Sequence, residues 1–271
     1  MRIMNAGKSA CARAVTAALL LAAGTGILPA TTAQAIVGGQ TASTRTYPWA
    51  VALTAPVIPF AFCGGALIAP AKVLTAAHCA APLQSAPGLL HVVAGRDNMA
   101  GSGGTDVTVS KIWIDPAYST FTFDGTTGYR NDVAVLTLSK PLRYATIGFA
   151  QPGDGGLYRA GNQARILGWG TTSEGGLIGG VLRTAVVPVV ADSLCASKAS
   201  YGSSYNAAQY TCAGNYDHGG VDTCDYDSGT PLVIDGIVAG ITSWGVGCAR
   251  PHYPGLYTRV TTFSKEIAAH L

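Results

Sequence analysis

Three short segments carry residues that could do nucleophilic chemistry together. Ser228 lies in Asp227-Ser228-Gly229-Thr230-Pro231, between a turn-like stretch and a β-prone run that starts at Leu232. A serine hydroxyl is a weak nucleophile until a neighbouring base takes its proton. The small residues beside it leave room for a substrate carbonyl and let backbone N–H groups face it. His78, in Thr75-Ala76-Ala77-His78-Cys79, is the strongest candidate base, because it interrupts an otherwise apolar stretch and is fixed by the adjacent cysteine. Asp132 precedes the alternating Val133-Ala134-Val135-Leu136 and should emerge at a strand end near a cleft. A buried carboxylate there can hold an imidazole tautomer and stabilise the imidazolium. Each residue alone has a plainer explanation: a packed histidine, a D-S-G turn, an aspartate before a strand. Their joint occurrence points to acyl transfer.

The elements that must position them read as short strands. β-prone runs cover 49–53, 66–68, 91–94, 107–114, 133–138, 163–168, 182–190, 231–234 and 237–244, with Gly, Pro, Asn and Asp breaking most of the intervals. Only the C-terminus looks helical, with Phe263, Ile267 and Leu271 four apart on one face after Thr261-Thr262. Charged residues are few and glycine is abundant at 35 of 271, which suits an all-β protein with many tight turns. Two barrels or sandwiches would fill the length. A Pro- and Gly-rich stretch at 141–153 is the expected boundary between them. The stretches 101–104 and 175–180 read as surface loops.

Residues 1–35 read as an export signal. Arg2, Lys8 and Arg13 precede an apolar run at 14–23, and Ala33-Gln34-Ala35 is a small-x-small cleavage site. The run is too short for a membrane anchor, which needs about 20 strongly apolar residues. Those three are the only charges in the first 35 residues, so 14 basic and 14 acidic residues remain and the formal +3 belongs to the signal. Nothing basic is left over to suggest nucleic acid or an anionic membrane as partner. Cys11 leaves with the signal. The even set Cys63, Cys79, Cys195, Cys212, Cys224 and Cys248 favours disulfides in an exported chain. Metal spacings of the C-x-x-C or H-x-x-x-H kind do not occur. Six cysteines leave about 15 pairings open.

Further blocks surround the three candidates: Ile36-Val37-Gly38-Gly39, Cys63-Gly64-Gly65-Ala66-Leu67-Ile68, Leu74 to Cys79, Asn131 to Leu136, Gly168-Trp169-Gly170, Asp222 to Pro231, and Ser243-Trp244-Gly245. In this order they resemble the trypsin-like (chymotrypsin-fold) serine protease family, across the whole of 36–271. The resemblance implies two six-stranded antiparallel β-barrels with the active site between them and a C-terminal helix outside. The first barrel would take 36–145 with His78 and Asp132, the second 146–271 with Ser228. It also selects the pairings Cys63–Cys79, Cys195–Cys212 and Cys224–Cys248. The activity implied is that of a secreted, monomeric endopeptidase acting on proteins or peptides, open to protein inhibitors and needing no cofactor or metal.

Three more assignments come with the resemblance. The α-ammonium of a new N-terminus at Ile36 would pair with Asp227, since a buried charge needs a partner. Asp222 would form the floor of the primary pocket, with Gly245 and Gly255 as walls and Ser243 and Trp244 on the substrate-binding strand. An unpartnered carboxylate there favours Arg or Lys before the scissile bond. Asp225 adds a negative charge at the rim. The oxyanion would be met by the N–H groups of residue 226 and Ser228, where the chain departs from the family: Tyr226 and Thr230 stand at positions that are usually glycine. A tyrosine resists positive φ by about 1–2 kcal/mol, and losing one donor costs about 10²–10³ in turnover. That departure sustains a competing reading, a catalytically silent binding module on the same fold. A calcium loop at Asp225-x-Asp227-x-Gly229 lacks its third ligand and distal glutamate, and an aromatic preference is disfavoured by Asp222.

Overall fold

The computed structural model describes residues 36–271 apart from Val57; the expected export signal lies outside the described residues. The chain runs through β1 (Gln40–Thr41), β2 (Ala50–Ala55), β3 (Ile58–Ala69), β4 (Lys72–Thr75) and the one-turn α1 (Ala77–Ala80). It continues through β5 (His91–Ala94), β6 (Thr105–Ile114), β7 (Ser119–Phe123), β8 (Thr126–Arg130) and β9 (Ala134–Leu138). Then follow β10 (Gln163–Gly168), β11 (Arg183–Val190), α2 (Asp192–Cys195), β12 (Tyr210–Ala213), β13 (Pro231–Ile234), β14 (Ile237–Trp244), β15 (Gly255–Arg259) and α3 (Val260–Ala268).

Six strands close one antiparallel barrel in the order β2-β3-β4-β9-β6-β5. The second closes as β11-β10-β13-β14-β15-β12, with β12 pairing back to β11 and β1 added beside β11. Full closure leaves few free strand edges, and register shifts in β2, β3, β6, β13 and β14 supply the bends that closing needs.

Strand β2 shows how the barrels meet. Its side chains alternate between faces. Val51 and Leu53 enter the main core, whereas the small Ala50 and Ala52 pack with Leu167, Trp169 and Leu182 of the other half. Alanine there leaves the space that the Trp169 indole fills, and its Nε1–H donates to the Arg96 carbonyl at 3.1 Å.

Helix α3 buries Val260, Phe263, Ser264 and Ile267, a stripe at helical spacing. The sequence pattern extends that stripe to Leu271, but the helix ends at Ala268 and Leu271 is exposed. Strands β7, β8, β12 and β15, together with the short β1 and β4, had no counterpart among the expected runs. The first two form a hairpin around Asp124-Gly125, both with positive φ (46° and 73°). That is the two-residue turn that Asp-Gly favours. β12 is buried along its whole length, so it has no alternation to betray it.

The three disulfides join Cys63 to Cys79, Cys195 to Cys212 and Cys224 to Cys248. Among the described residues no helix is long and apolar enough to cross a membrane. The first bridge spans 16 residues and ties α1, which carries His78, to β3. Replacing Cys63 and Cys79 together by alanine should lower the unfolding free energy by about 3 kcal/mol, the loop-closure value for that span. Urea denaturation reads this as a lower midpoint; an unchanged midpoint would mean that packing alone holds the loop.

Candidate active site

Asp132 anchors the first half of the site. It follows Asn131, whose left-handed backbone (φ 49°) turns the chain out of β8, a conformation asparagine tolerates better than most residues. The Asp132 carboxylate is wholly buried (0% exposed). Its Oδ1 accepts the His78 backbone N–H at 2.9 Å, and its Oδ2 lies 2.8 Å from His78 Nδ1. A carboxylate only accepts, so Nδ1 carries the proton and Nε2 keeps its lone pair. Cys79 Sγ lies 3.6 Å from Nε2, but a disulfide sulfur has no proton to give, so this is packing. Burial pushes the Asp132 carboxyl up most strongly, yet the His78 charge and hydrogen bonds from His78 and Ser243 together hold it below its ordinary value.

Three contacts of the Asp132–His78 pair escaped the sequence. Ser243, expected only beside substrate, donates its hydroxyl to Asp132 Oδ2 at 2.6 Å. It can do so because β14 bulges there: Thr242 and Trp244 pair with Tyr257 and Leu256, and Ser243 is the extra residue. Thr258 donates to the Asp132 carbonyl at 2.9 Å. The third is Tyr129, whose ring lies flat on the His78 imidazole, centroids 4.3 Å apart and planes 9° apart.

Ser228 follows a turn built around Asp227. The Asp227 carboxylate, also wholly buried, accepts the N–H of Gly170 at 2.9 Å and of Cys224 at 3.0 Å, and the Ile36 N–H faces it too. It fills the space that Gly168 and Gly170 leave, since a Cβ on Gly168 would meet its Oδ1 at 2.0 Å. Tyr226 takes positive φ (71°), and its exposed ring meets Phe60 edge-on, centroids 5.4 Å apart. Among the described residues, neither the Tyr226 nor the Ser228 N–H is spent on a backbone acceptor. Thr230 fits where a glycine was expected. Its methyl occupies the space beside Gly64, and its hydroxyl donates to the Asp227 carbonyl at 2.7 Å. With Asp227 saturated by amides and Asp225 accepting from Gly175 at 3.2 Å, the segment has no calcium-loop geometry.

One cleft of about 340 Å³ is lined by His78, Ser228, Asp222, Ser243, Trp244, Gly245 and Gly255, among others. Asp222 lies buried in its wall, Oδ1 taking the Thr223 N–H at 2.8 Å and Oδ2 the Ala249 N–H at 3.1 Å. Burial pushes Asp222 up to about 7 against those bonds, and Asp227 likewise to about 7. A Cβ on Gly255 would lie 2.6 Å from Asp222 Oδ1, so this wall must be glycine. One on Gly245 would meet nothing closer than 3.5 Å. At the rim Arg250 forms a bidentate pair with Glu174, Nε to Oε2 at 2.9 Å. Ile36 and Val37 reach the same region: Val37 and Asp222 exchange backbone hydrogen bonds at 3.0 and 3.3 Å.

Two closed antiparallel barrels, with serine, histidine and aspartate gathered at one cleft, are the arrangement of chymotrypsin-like serine proteases. The sequence profile of the Trypsin family matches residues 36–267. A trypsin of Saccharopolyspora erythraea is 45% identical over 228 residues, covering 84% of this chain and 94% of that protein. Trypsin eta of Drosophila erecta is 36% identical over 266 residues, covering 94% and 96%. A trypsin-like protease of Streptomyces glaucescens is 37% identical over 239 residues, covering 86% and 81%. The chain belongs to the trypsin family and is a serine-type endopeptidase.

Two outcomes follow from the local geometry. At an ordinary position glycine is less stable than alanine, because it frees the unfolded chain. At residue 226 the order should reverse: Tyr226→Gly should be more stable than Tyr226→Ala by about 1 kcal/mol, since only glycine is at ease with positive φ. Urea melts of the two variants decide. The second concerns pH. In the uncut chain, where the Ile36 nitrogen is an amide, burial raises Asp222 and Asp227 to about 7, whereas the unfolded chain loses both protons near the ordinary carboxylate value of 3.8. Their contribution is therefore complete below about pH 4 and is lost as pH rises through about 7. Asp222→Asn should flatten that fall and gain on the order of 2 kcal/mol over the native chain at pH 8, compared by urea denaturation at pH 5 and pH 8.

Proposed function

We propose that this endopeptidase cleaves after Arg and Lys, through an acyl-enzyme on Ser228. The observation that carries the specificity is Asp222: a buried carboxylate in the cleft wall, met by amide and hydroxyl donors and, among the described residues, by no cation. Burial without a cation makes its ionised form unfavourable. A guanidinium or ammonium entering the pocket supplies the missing charge and returns the group to its ionised state.

The steps follow from the donors and acceptors. Ser228 Oγ adds to the substrate carbonyl while its proton passes to His78 Nε2, and Asp132 stabilises the imidazolium through Nδ1. The carbonyl oxygen becomes an oxyanion facing the N–H groups of Tyr226 and Ser228. The positive φ at Tyr226 supports this reading, because the peptide then has no need to flip away from the oxyanion. The tetrahedral species collapses as His78 protonates the leaving amine, giving the acyl-enzyme. Water, deprotonated by His78, then releases the acid and restores Ser228. A silent binding module would have no use for this alignment of Asp132, His78 and two unspent amides.

We further propose that residues 1–35 direct export and are removed, with 36–145 and 146–271 as the two domains of a secreted monomer acting on proteins and peptides. In the uncut chain the Ile36 nitrogen is an amide. Cutting after Ala35, by signal peptidase or by loss of a short propeptide, turns it into an ammonium beside Asp227. That pairing would offset the burial that raises Asp227.

The test is steady-state cleavage of Arg, Lys and Phe peptide amides by the mature enzyme. Arg and Lys amides should turn over, and Ser228→Ala should lose about 10⁴-fold or more. Asp222→Ser should lose most of the preference for basic residues, by about 10³–10⁴-fold. No Ser228-dependent turnover of any substrate overturns the mechanism, and an unchanged preference in Asp222→Ser overturns the pocket assignment.

A further inference from the structure

The hairpin β7–β8 packs against the cleft through residues of both strands, while its turn at Asp124-Gly125 is exposed. Phe121 and Phe123 lie on one face of β7, while Thr120 and Thr122 on the other face are exposed. The Phe121 ring meets Trp244 edge-on at 5.2 Å and 90°, and Phe123 lies 6.0 Å from both Trp244 and Tyr201. Gly128, opposite on β8, is the notch that admits the Phe121 ring: a Cβ there would lie 2.3 Å from it. The Arg130 guanidinium covers the same ring at 4.5 Å. On β8, Tyr129 stacks on His78 and its carbonyl accepts the Tyr210 hydroxyl. Thr126 and Thr127 line the cleft.

The consequence lies at Trp244. An indole at the edge of a cleft is a platform for apolar and aromatic side chains of an extended peptide lying along Ser243-Trp244-Gly245. Here that indole is only 7% exposed: Tyr201 and Tyr210 of its own barrel pack against it, and Phe121 and Phe123 of the hairpin complete the enclosure. Beside His78, the volume next to the reacting carbonyl is taken by the Tyr129 ring.

We propose that the hairpin Ser119–Arg130 is a permanent occupant of the cleft, which denies bulky and aromatic side chains the two or three positions preceding the basic residue. Peptides then meet threonine hydroxyls and the Tyr129 edge on that side. Discrimination falls on the side chain that enters the Asp222 pocket. This inference rests on the protease reading above.

The experiment compares kcat/KM for peptide amides ending in Arg that carry Gly, Ala or Phe at the second and third positions before the scissile bond. The native enzyme should prefer Gly and Ala over Phe by about tenfold or more. In Phe121→Ala/Phe123→Ala, checked for folding by circular dichroism, the ratio at the third position should fall to within about threefold. Native enzyme that takes Phe as well as Ala overturns the proposal whether or not the variant folds, and so does a folded variant that keeps the native ratio. Acetyl-arginine methyl ester is too short to reach the hairpin. If the native enzyme does not hydrolyse it, the protease reading has failed; if it does, the peptide ratios judge the hairpin alone.

Discussion

The site depends on a carboxylate placed where no water reaches it. Asp227 has to find donors inside the protein, and it draws them from separate stretches of chain: Gly170 after β10, Cys224 in the serine segment, and Ile36 at the start of the described chain. A buried acceptor left unpaired costs about 1–3 kcal/mol, and more when charged. These segments are therefore bound to one geometry, and Ser228 and Tyr226 inherit their positions from it. The glycines around Trp169 become intelligible in the same way. They are absent side chains, making room for Asp227, while the indole between them seals the contact with β2.

The machinery is divided between the barrels and stitched across them by polar contacts. Asp132 and His78 belong to the first barrel, but the hydroxyls that secure Asp132, from Ser243 and Thr258, come from the second. In the reverse direction the Gly64 N–H of β3 donates to the Ser228 carbonyl at 2.8 Å. Gly229 approaches so closely that a Cβ would meet Thr75 Oγ1 at 2.3 Å. Neither half holds a complete site, and small motions of one barrel against the other are resisted by these contacts as well as by apolar packing.

Much of this was legible in the sequence, and what was missed has physical reasons. Ser228, His78 and Asp132 could be read because each sits in a block with its own constraint: a tight turn, a cysteine neighbour, an alternating strand. Asp222 and Asp227 were singled out only through the resemblance, since an isolated acid among small residues and cysteine does not by itself announce a pocket floor or an ion-pair partner. Ser243 could not be read as a partner of Asp132, because a bulge sets its direction and β14 carries no composition that announces one. Tyr129 was hidden because stacking on an imidazole is a long-range contact. The hairpin was different. Asp124-Gly125 between alternating aromatic and small residues is a strong turn signal, and it was lost among many short strands. At Tyr226 the sequence raised the question of positive φ, and only the backbone could answer it.

The fit between Gly64 and Thr230 has a consequence for how such enzymes diverge. A Cβ on Gly64 would lie 2.4 Å from the Thr230 methyl, so one residue's substituent occupies the volume the other gives up. The two positions lie on different barrels and are far apart in the chain, yet the side chain at one limits what the other can carry. A lineage can exchange which barrel supplies the bulk only by passing through a hole or a clash. Transplanting the serine segment into a relative would require glycine at the position of Gly64.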